Sequence, residues 1–507
     1  MLTDIQTELK GLVRQSWASD VQSWGERVAL YRQYAAGDHR AKLTTQMKAM
    51  LRVVDDRLDR FNANYCGLVI EAMSDRLIVT SIEGGDQAAT AWAKGLQESN
   101  RFDSLQMDVN EAALRDGDTF VMEAFDEETK EVLWVHEPAY DGDTGIIPVY
   151  DRMRRRMLAV IKVWYEGDAR LANLYSKGAI KKYIWEGTKE APAPQFKQRD
   201  EPADWTDVRG AALGVPFVHF KNRPSTSSWH GESELVNAIP LQDVLNRTIT
   251  SMVMVAELSA FPIPIARGFI PPASLMPGAW ITIGAVDGLA KDVQVGVDVL
   301  PQASLVPFIS EAEFTINQIG SVTQTPLLSN MGASSSSGEA LKQRETGLIG
   351  KTRRAQTRFG NAWEDVVRLA ARLQTAYGNK APESKSWRAV WQDASPRNDI
   401  VVIDNALKVR ELVGDEETLN LIGKVLGYDQ AKIKAILAQK DAAAEKSLSQ
   451  MPLPGFENFG RGTDLNEAIN PTNNPTPSPS PLRREGGMAQ VIDPQAIEQA
   501  LALERVG

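Results

Sequence analysis

The sequence predicts an α+β protein, and three observations lead there. Apolar residues recur at helical spacing through most of residues 2–117. Short runs rich in β-branched and aromatic residues then crowd into residues 119–220, separated by turn pairs such as Asp141-Gly142, Glu166-Gly167 and Lys177-Gly178. Helices first and strands after them argue against a doubly wound parallel sheet, which needs the two to alternate.

In order along the chain, residues 2–35 read as helical, followed by a polar turn at Gly37-Asp-His-Arg40. Residues 64–76 form a second helical candidate with Leu68, Ile70, Ala72 and Met73, leading into a strand over 77–82 that ends at Gly84-Gly85. Residues 86–117 hold two helices hinged near Asn100. Strands are expected at 119–125, 132–136, 157–165, 169–175, 182–185 and 215–220. Residues 232–260 are a helical stretch interrupted at Pro240, with Leu241, Val244, Leu245, Ile249, Met252, Val253 and Ala256 at helical spacing. A Pro- and Gly-rich segment, 261–302, follows, with strand candidates at 280–284 and 293–297. Residues 303–323 are helical again, with Leu305, Ile309, Ala312, Ile316 and Ile319 as a stripe that fits ordinary core packing or packing between subunits.

The most informative segment is 326–372. A small polar loop, Pro326-Leu-Leu-Ser-Asn-Met-Gly-Ala-Ser-Ser-Ser-Ser-Gly338, runs straight into a long helix over 339–377. Four consecutive serines offer hydroxyls and little bulk, so the loop can move and cannot fill a core. Between Ala340 and Thr375 the eight bases Lys342, Arg344, Lys351, Arg353, Arg354, Arg358, Arg368 and Arg372 face three acids, a local net of +5 in a chain whose total is −10. An acidic body with one basic stretch fits positional contact with a polyanion better than tight nucleic-acid binding, and it equally fits a solvated helix face. The helix has an apolar face at Leu341, Leu348, Ala355, Phe359, Ala362, Val366 and Ala370, and three interior glycines, Gly347, Gly350 and Gly360. Each glycine costs about 1 kcal/mol relative to alanine, so a bend or a close neighbour is expected there. Beyond it lie a strand at 386–391 and three short helices at 404–413, 416–426 and 429–440. Residues 451–490, with the Pro/Thr/Ser/Asn run 470–481, read as an extended linker, and 494–505 as a small amphipathic helix.

Several function classes are excluded or weakened. One cysteine, Cys66, permits neither an intrachain disulfide framework nor a cysteine-based zinc site. The first residues show no secretory-leader pattern, and no window reaches the ~18 apolar residues that a membrane-spanning helix needs. Gly347-Leu-Ile-Gly-Lys-Thr352 ends like a phosphate-binding loop, but Glu345 stands where the first glycine belongs, and no strand precedes it. The histidines, His39, His136, His219 and His230, are scattered and read as structural or surface residues. No metal, no cofactor and no catalytic residue is expected.

The order of parts resembles the portal proteins of tailed bacteriophages, of the SPP1 type, over most of residues 20–440. The resemblance rests on Tyr34-Ala-Ala-Gly-Asp-His39, on Asn64-Tyr65 leading to Ser74-Asp-Arg-Leu77, and on Asp116-Gly-Asp118. It continues in Leu213-Gly-Val-Pro-Phe-Val218, Gly231-Glu-Ser-Glu-Leu235, Leu241-Gln-Asp-Val-Leu-Asn246, Ser336-Ser-Gly-Glu-Ala-Leu-Lys342 and Trp391-Gln-Asp-Ala-Ser-Pro396. It implies a homo-oligomeric ring, usually of twelve subunits, in the virion at one capsid vertex, assembled in the host cytoplasm. Double-stranded DNA would pass through the centre irrespective of sequence. A separate terminase large subunit would supply ATP hydrolysis, and head-completion or adaptor proteins, capsid and scaffold proteins would be further partners. The implied regions are wing (1–230), stem helices (231–260 and 303–325), clip (261–302), tunnel loop (326–338), long basic helix of the wing (339–377), wing strand and linker (378–400) and crown (401–440), with a tail from 441. Ser329, Asn330, Met331, Ser334, Ser335, Ser336 and Ser337 would line the channel. Lys342, Arg344, Lys351, Arg353 and Arg354 are the basic residues placed to face DNA. Phe269, Ile270, Trp280 and Ile281 are those placed to dock partners. Another head or adaptor protein, or a P-loop-like NTPase, is the alternative.

Overall fold

The computed structural model describes residues 3–449 except 10–11, 46, 49–62, 152–155, 187–194, 225–227, 261–263, 268–295, 300–302, 327–337, 383, 385, 396–405, 409 and 427–429. The chain forms two compact units, Met1–Asn398 and Asp399–Gly507. Mixed helix and sheet is what the described residues show, and every strand ladder among them is antiparallel.

Helices α1 (Thr3–Glu8) and α2 (Trp17–Ala35) come first. They are separate where the sequence reads as continuous helix. The stretch between them contains Gly11, a weak helix former. Arg14 and Ser16 instead turn their side chains onto Asp20 at the head of α2. Helix α3 (Tyr65–Ser74) is capped by Asn64, whose carbonyl accepts from Gly67 N at 3.0 Å. Strand β1 (Val79–Gly84) and helices α4 (Gln87–Ser99) and α5 (Phe102–Asp116) follow, the two helices parting at Asn100 and Arg101 as expected. Asp86 caps α4 through Ala89 N, and Gly117, at φ 87°, ends α5.

Strands β2 (Asp118–Phe125) and β3 (Val132–Pro138) pair with β10 (Phe217–Lys221) in the order β10-β2-β3. Between them β4 (Gly145–Tyr150), β5 (Met157–Glu166), β6 (Ala169–Tyr175), β7 (Ala179–Glu186) and β8 (Gln195–Gln198) form a meander, with the short β9 (Ala203–Asp204) added to β7. The sequence reading missed β4, β8 and β9. Pro148 inside β4 argues against a strand, yet β4 is an edge, where a missing N–H is tolerated.

Helix α6 (Ile239–Ala260) starts at Ile239, so Pro240 lies in its first turn, where no intrahelical donor is needed, and does not interrupt it. Residues before it are held in turns because Glu234 N donates to Leu114 O at the end of α5 (3.0 Å). Strands β11 (Pro264–Arg267) and β12 (Gly296–Val299) pair beyond α6, and α7 (Val306–Thr323) packs back along it. The strand expected at 280–284, the linker at 451–490 and the helix at 494–505 lie outside the described residues.

Helix α8 (Gly338–Ala376) runs 39 residues. Leu348, Ala355, Phe359, Ala362, Val366 and Ala370 of its expected face are buried in one core with Phe102, Phe220 and Leu245. Trp363, outside that stripe, is fully buried, its ring 4.7 Å from Phe220 and 4.9 Å from Phe102. Of the three glycines, Gly360 answers a close neighbour: a Cβ there would lie 2.9 Å from Trp391 Nε1. Strand β13 (Trp387–Trp391) crosses α8 and pairs with β1, some three hundred residues earlier. A second core holds α1, α2 and the meander, through Trp24, Val28, Tyr140, Ile147, Val160 and Phe196. In the second unit, α9 (Arg410–Leu426) is broken by non-helical Gly414 (φ 84°), which leaves two helical pieces as expected, and α10 (Gln430–Ser449) follows.

Candidate functional site at the roots of the serine loop

The serine loop leaves α7 and returns on α8, and its α7 root is fixed by polar contacts. Gln324 closes α7 in the left-handed region (φ 57°), and Thr325 N bonds back to Gly320 O at 2.8 Å. The Thr323 hydroxyl donates to Ile319 O, and the adjacent Thr325 hydroxyl lies 3.0 Å away, both buried. From α8, Lys351 donates to Thr323 O at 2.9 Å and pairs with Glu234 at 2.7 Å. An ammonium at a helix C-terminus meets both unsatisfied carbonyls and the negative end of the helix dipole. Glu234 is in turn held by Asn222 Nδ2 at 2.8 Å. Lys351 therefore ties the α7 end of the loop to the body of α8, thirteen residues beyond Gly338. Sequence reading placed it among residues facing DNA; its side chain is 11% exposed and committed to this pair.

The other sequence-predicted residues fall as follows. Ser329, Asn330, Met331, Ser334, Ser335, Ser336 and Ser337 lie outside the described residues, as do Phe269, Ile270, Trp280 and Ile281. Lys342 and Arg344 lie on α8 with undescribed side chains. Arg353 pairs with Asp393 at 3.5 Å, both exposed. Arg354 is exposed and borders a recess with Arg223, Arg358, Glu232, Glu234 and Lys351. Residues 347–352 are wholly helical, with helix before them, which is not the strand-to-loop turn a phosphate-binding loop requires.

The motifs behind the resemblance meet as buried polar junctions. Around Asp118, β2, β10 and the Gly231 turn converge: His219 Nε2 donates to Oδ1 at 2.7 Å, Gly231 N to the same oxygen at 2.8 Å, and His230 Nδ1 to Oδ2 at 3.3 Å. Tyr150 donates its hydroxyl to His219 Nδ1 at 2.7 Å, and Trp24 stacks on His230 at 4.0 Å. Burial alone would raise the Asp118 pKa, but the charge and hydrogen bonds of His219, then His230, hold it well below the usual carboxylate range. Burial pushes His219 down to about 4, so at neutral pH it is a neutral imidazole. A Cβ on Gly231 would collide with Gly117 O at 2.0 Å, which is why both motifs carry glycine at their contact. Sequence spacing gave no sign of this cluster, because strand pairing brings its members together.

A second junction joins Tyr34-Ala-Ala-Gly-Asp-His39, Asn64-Tyr65 and the start of α6. Asn64 Nδ2 donates to Ala35 O (2.7 Å), Tyr65 N to Gln242 Oε1 (3.1 Å), Asn246 Nδ2 to His39 Nδ1 (2.8 Å), and Tyr34 bonds to Asp243. A third joins Arg76 to Ala394 O (3.0 Å), with Gln356 of α8 donating to Gln392 O (3.0 Å). Among the described residues no His, Cys, Asp and Glu group could hold a metal, and no helix is long and apolar enough to cross a membrane.

Comparison with known proteins decides the family. A profile described as "Phage portal protein, SPP1 Gp6-like" matches residues 30–446. The chain belongs to that family. Portal proteins of Mycobacterium phages L5 and D29 are each 26% identical over 226 residues, 42% of this chain and 46% of theirs, so it spans about half the length of these curated relatives. Among solved structures, a chain in the neck of an empty gene transfer agent (GTA) particle computed with C6 symmetry aligns at TM-score 0.45 and 10% identity, covering 76% of this chain and 95% of that one. A chain of the native GTA virion aligns at TM-score 0.41 and 12% identity, covering 78% and 99%. The portal family match spans all three polar junctions and both roots of the serine loop.

Proposed function

We propose that this chain is a portal subunit: twelve copies form a ring at one capsid vertex, double-stranded DNA moves through its centre, and the serine loop lines the narrowest point. The observation that carries the reading is the anchoring of the loop. Lys351 fastens the end of α7, where the loop departs, to α8, while the loop itself carries four consecutive serines and no charged residue. A channel for a moving duplex must present a shallow potential, since deep phosphate wells would stall it, and an acidic body with scattered bases supplies one. Family membership supports the same reading.

In this proposal α6 and α7 are stem, residues 261–302 the clip that docks the terminase large subunit and later head-completion proteins, 1–230 together with α8 the wing, and 401–440 the crown. Phe269, Ile270, Trp280 and Ile281 are its docking residues, and capsid and scaffold proteins contact the wing. The subunit assembles in the host cytoplasm, and ATP turnover belongs to the terminase.

Negative-stain microscopy of the purified full chain tests the ring: closed rings with an axial channel are expected, and monomers at micromolar concentration overturn the reading. The loop is tested separately. Ser335→Trp with Ser336→Trp leaves ring assembly intact and lowers DNA packaging at least tenfold; normal packaging by the double variant removes the loop from the constriction.

A further inference from the structure

Beside the Lys351 clamp lies a recess of about 440 Å³ between the ends of β10 and α7, the turn before α6, and α8. Its charges do not balance. Glu232 is paired with Arg223 at 3.2 Å, and Glu234 with Lys351 at 2.7 Å. Arg354 and Arg358, one turn apart on α8, border the same recess and form no ion pair or hydrogen bond among the described residues. Like charges at this spacing destabilise a helix. Burial, then the charge of Arg354, weakens Arg358's hold on its proton. Four cations thus share a space with two carboxylates, Glu232 and Glu234, each already paired with another cation.

The complementary charge lies on α7. Between Val306 and Thr323 there is no Lys, Arg or His, and its acids, Glu311 and Glu313, are both exposed and form no ion pair among the described residues. Val306 and Ile309, on the same side of α7 as Glu313, are 65% and 46% exposed, large apolar surfaces without cover in one copy. These carboxylates cannot fill their own copy's recess: α7 reaches it with Val322, Thr323 and Gln324, and Glu313 stands nine residues back, about 14 Å along the axis.

We propose that Glu313 of one copy enters the Arg354/Arg358 recess of the next, making a head-to-tail contact between subunits; Glu311, two residues back, points to another side of α7. Two different faces on one chain, each completing the other, are what a heterologous interface requires, and repetition through a closing rotation gives a ring. The inference rests on the ring reading above and specifies which charges hold neighbours together. It makes assembly salt-sensitive, because partly exposed ion pairs are screened.

Charge reversal on the full chain tests it, with assembly followed by analytical ultracentrifugation and negative-stain microscopy. Glu313→Lys and Arg354→Glu/Arg358→Glu should each raise the concentration needed for rings at least tenfold while circular dichroism stays native. The three changes together should restore assembly. Arg354→Gln/Arg358→Gln, which adds no charge beside Glu234, should weaken assembly in the same direction and keeps the test valid if the reversal unfolds. If wild type forms rings and folded reversal variants assemble at the same concentration, or the combined variant stays dissociated, the inference fails and the ring reading stands. Inorganic phosphate bound by wild-type rings and lost in Arg354→Gln/Arg358→Gln makes the recess an anion site and also overturns it. Wild-type monomers would remove both readings.

Discussion

Strand β2 carries a buried carboxylate at each end, and the two have opposite fates. Asp118 and Glu123 are both fully buried, five residues apart. Asp118 receives three donors, from His219, His230 and Gly231, and keeps its charge. Glu123 meets no hydrogen-bond partner at either carboxyl oxygen among the described residues. Burial pushes its pKa well up against the smaller opposing pull of Arg372, which favours the uncharged form. Burial is common to both; the donors supplied by β10 and the Gly231 turn separate them. The charged end is therefore a fastening between elements, and the other end a tolerated defect.

The largest expected effect breaks the fastened end. Asp118→Ala strands three buried donors and should destabilise the fold by about 3–5 kcal/mol in urea unfolding; a loss under ~1 kcal/mol would mean that the junction does not depend on its carboxylate. Lys351→Met, which leaves the nearly buried Glu234 without its cation, should cost about 3 kcal/mol by the same measurement. It should also increase protease cutting within 326–338 if the clamp holds the loop.

A smaller effect follows from pH. His219 is neutral when folded, with its pKa down to about 4 from an ordinary 6.5, so the unfolded chain binds more protons between these values. Its contribution is complete above pH ~6.5 and is lost as pH falls towards 4. His39 and His136, both depressed by burial, act in the same direction. Glu123 acts oppositely, since its raised pKa favours the fold at low pH. A Glu123→Gln background should therefore show a steeper fall in melting temperature from pH 6.5 to 4 than wild type, and equal slopes would contradict a raised pKa for Glu123. The smallest change is at pH 7: Glu123→Leu removes an unpaired buried carboxyl and should stabilise by about 1–2 kcal/mol, where Asp118→Leu would destabilise.

Much of the fold was legible where one periodicity dominates a segment. Helices α3 to α5, the apolar face of α8 and the strands from β5 to β7 follow directly from residue spacing. Edge strand β4, with Pro148 inside it, was not read from the sequence, and the gap between α1 and α2 was hidden by a helical pattern that side-chain bonds to Asp20 override. Of the candidate site, the serine loop and basic helix could be found by composition alone. Lys351 was placed by its charge and turned out to serve the clamp, since nothing local reveals that Glu234, over a hundred residues earlier, lies beneath it. The Asp118 cluster was invisible for the same reason.

By itself the sequence determined most of the helices and the strands β5 to β7, that one loop is small and polar, and that a basic helix follows it, because these depend on neighbours within a few residues. The tertiary structure alone decided which charges are spent on each other and which are left over. That choice depends on groups brought within about 3 Å from distant segments, where losing water must be matched by a partner. Arg353, Arg354 and Lys351 are adjacent in one basic run, and only the fold makes the first a surface pair, the second an unmatched charge and the third a clamp.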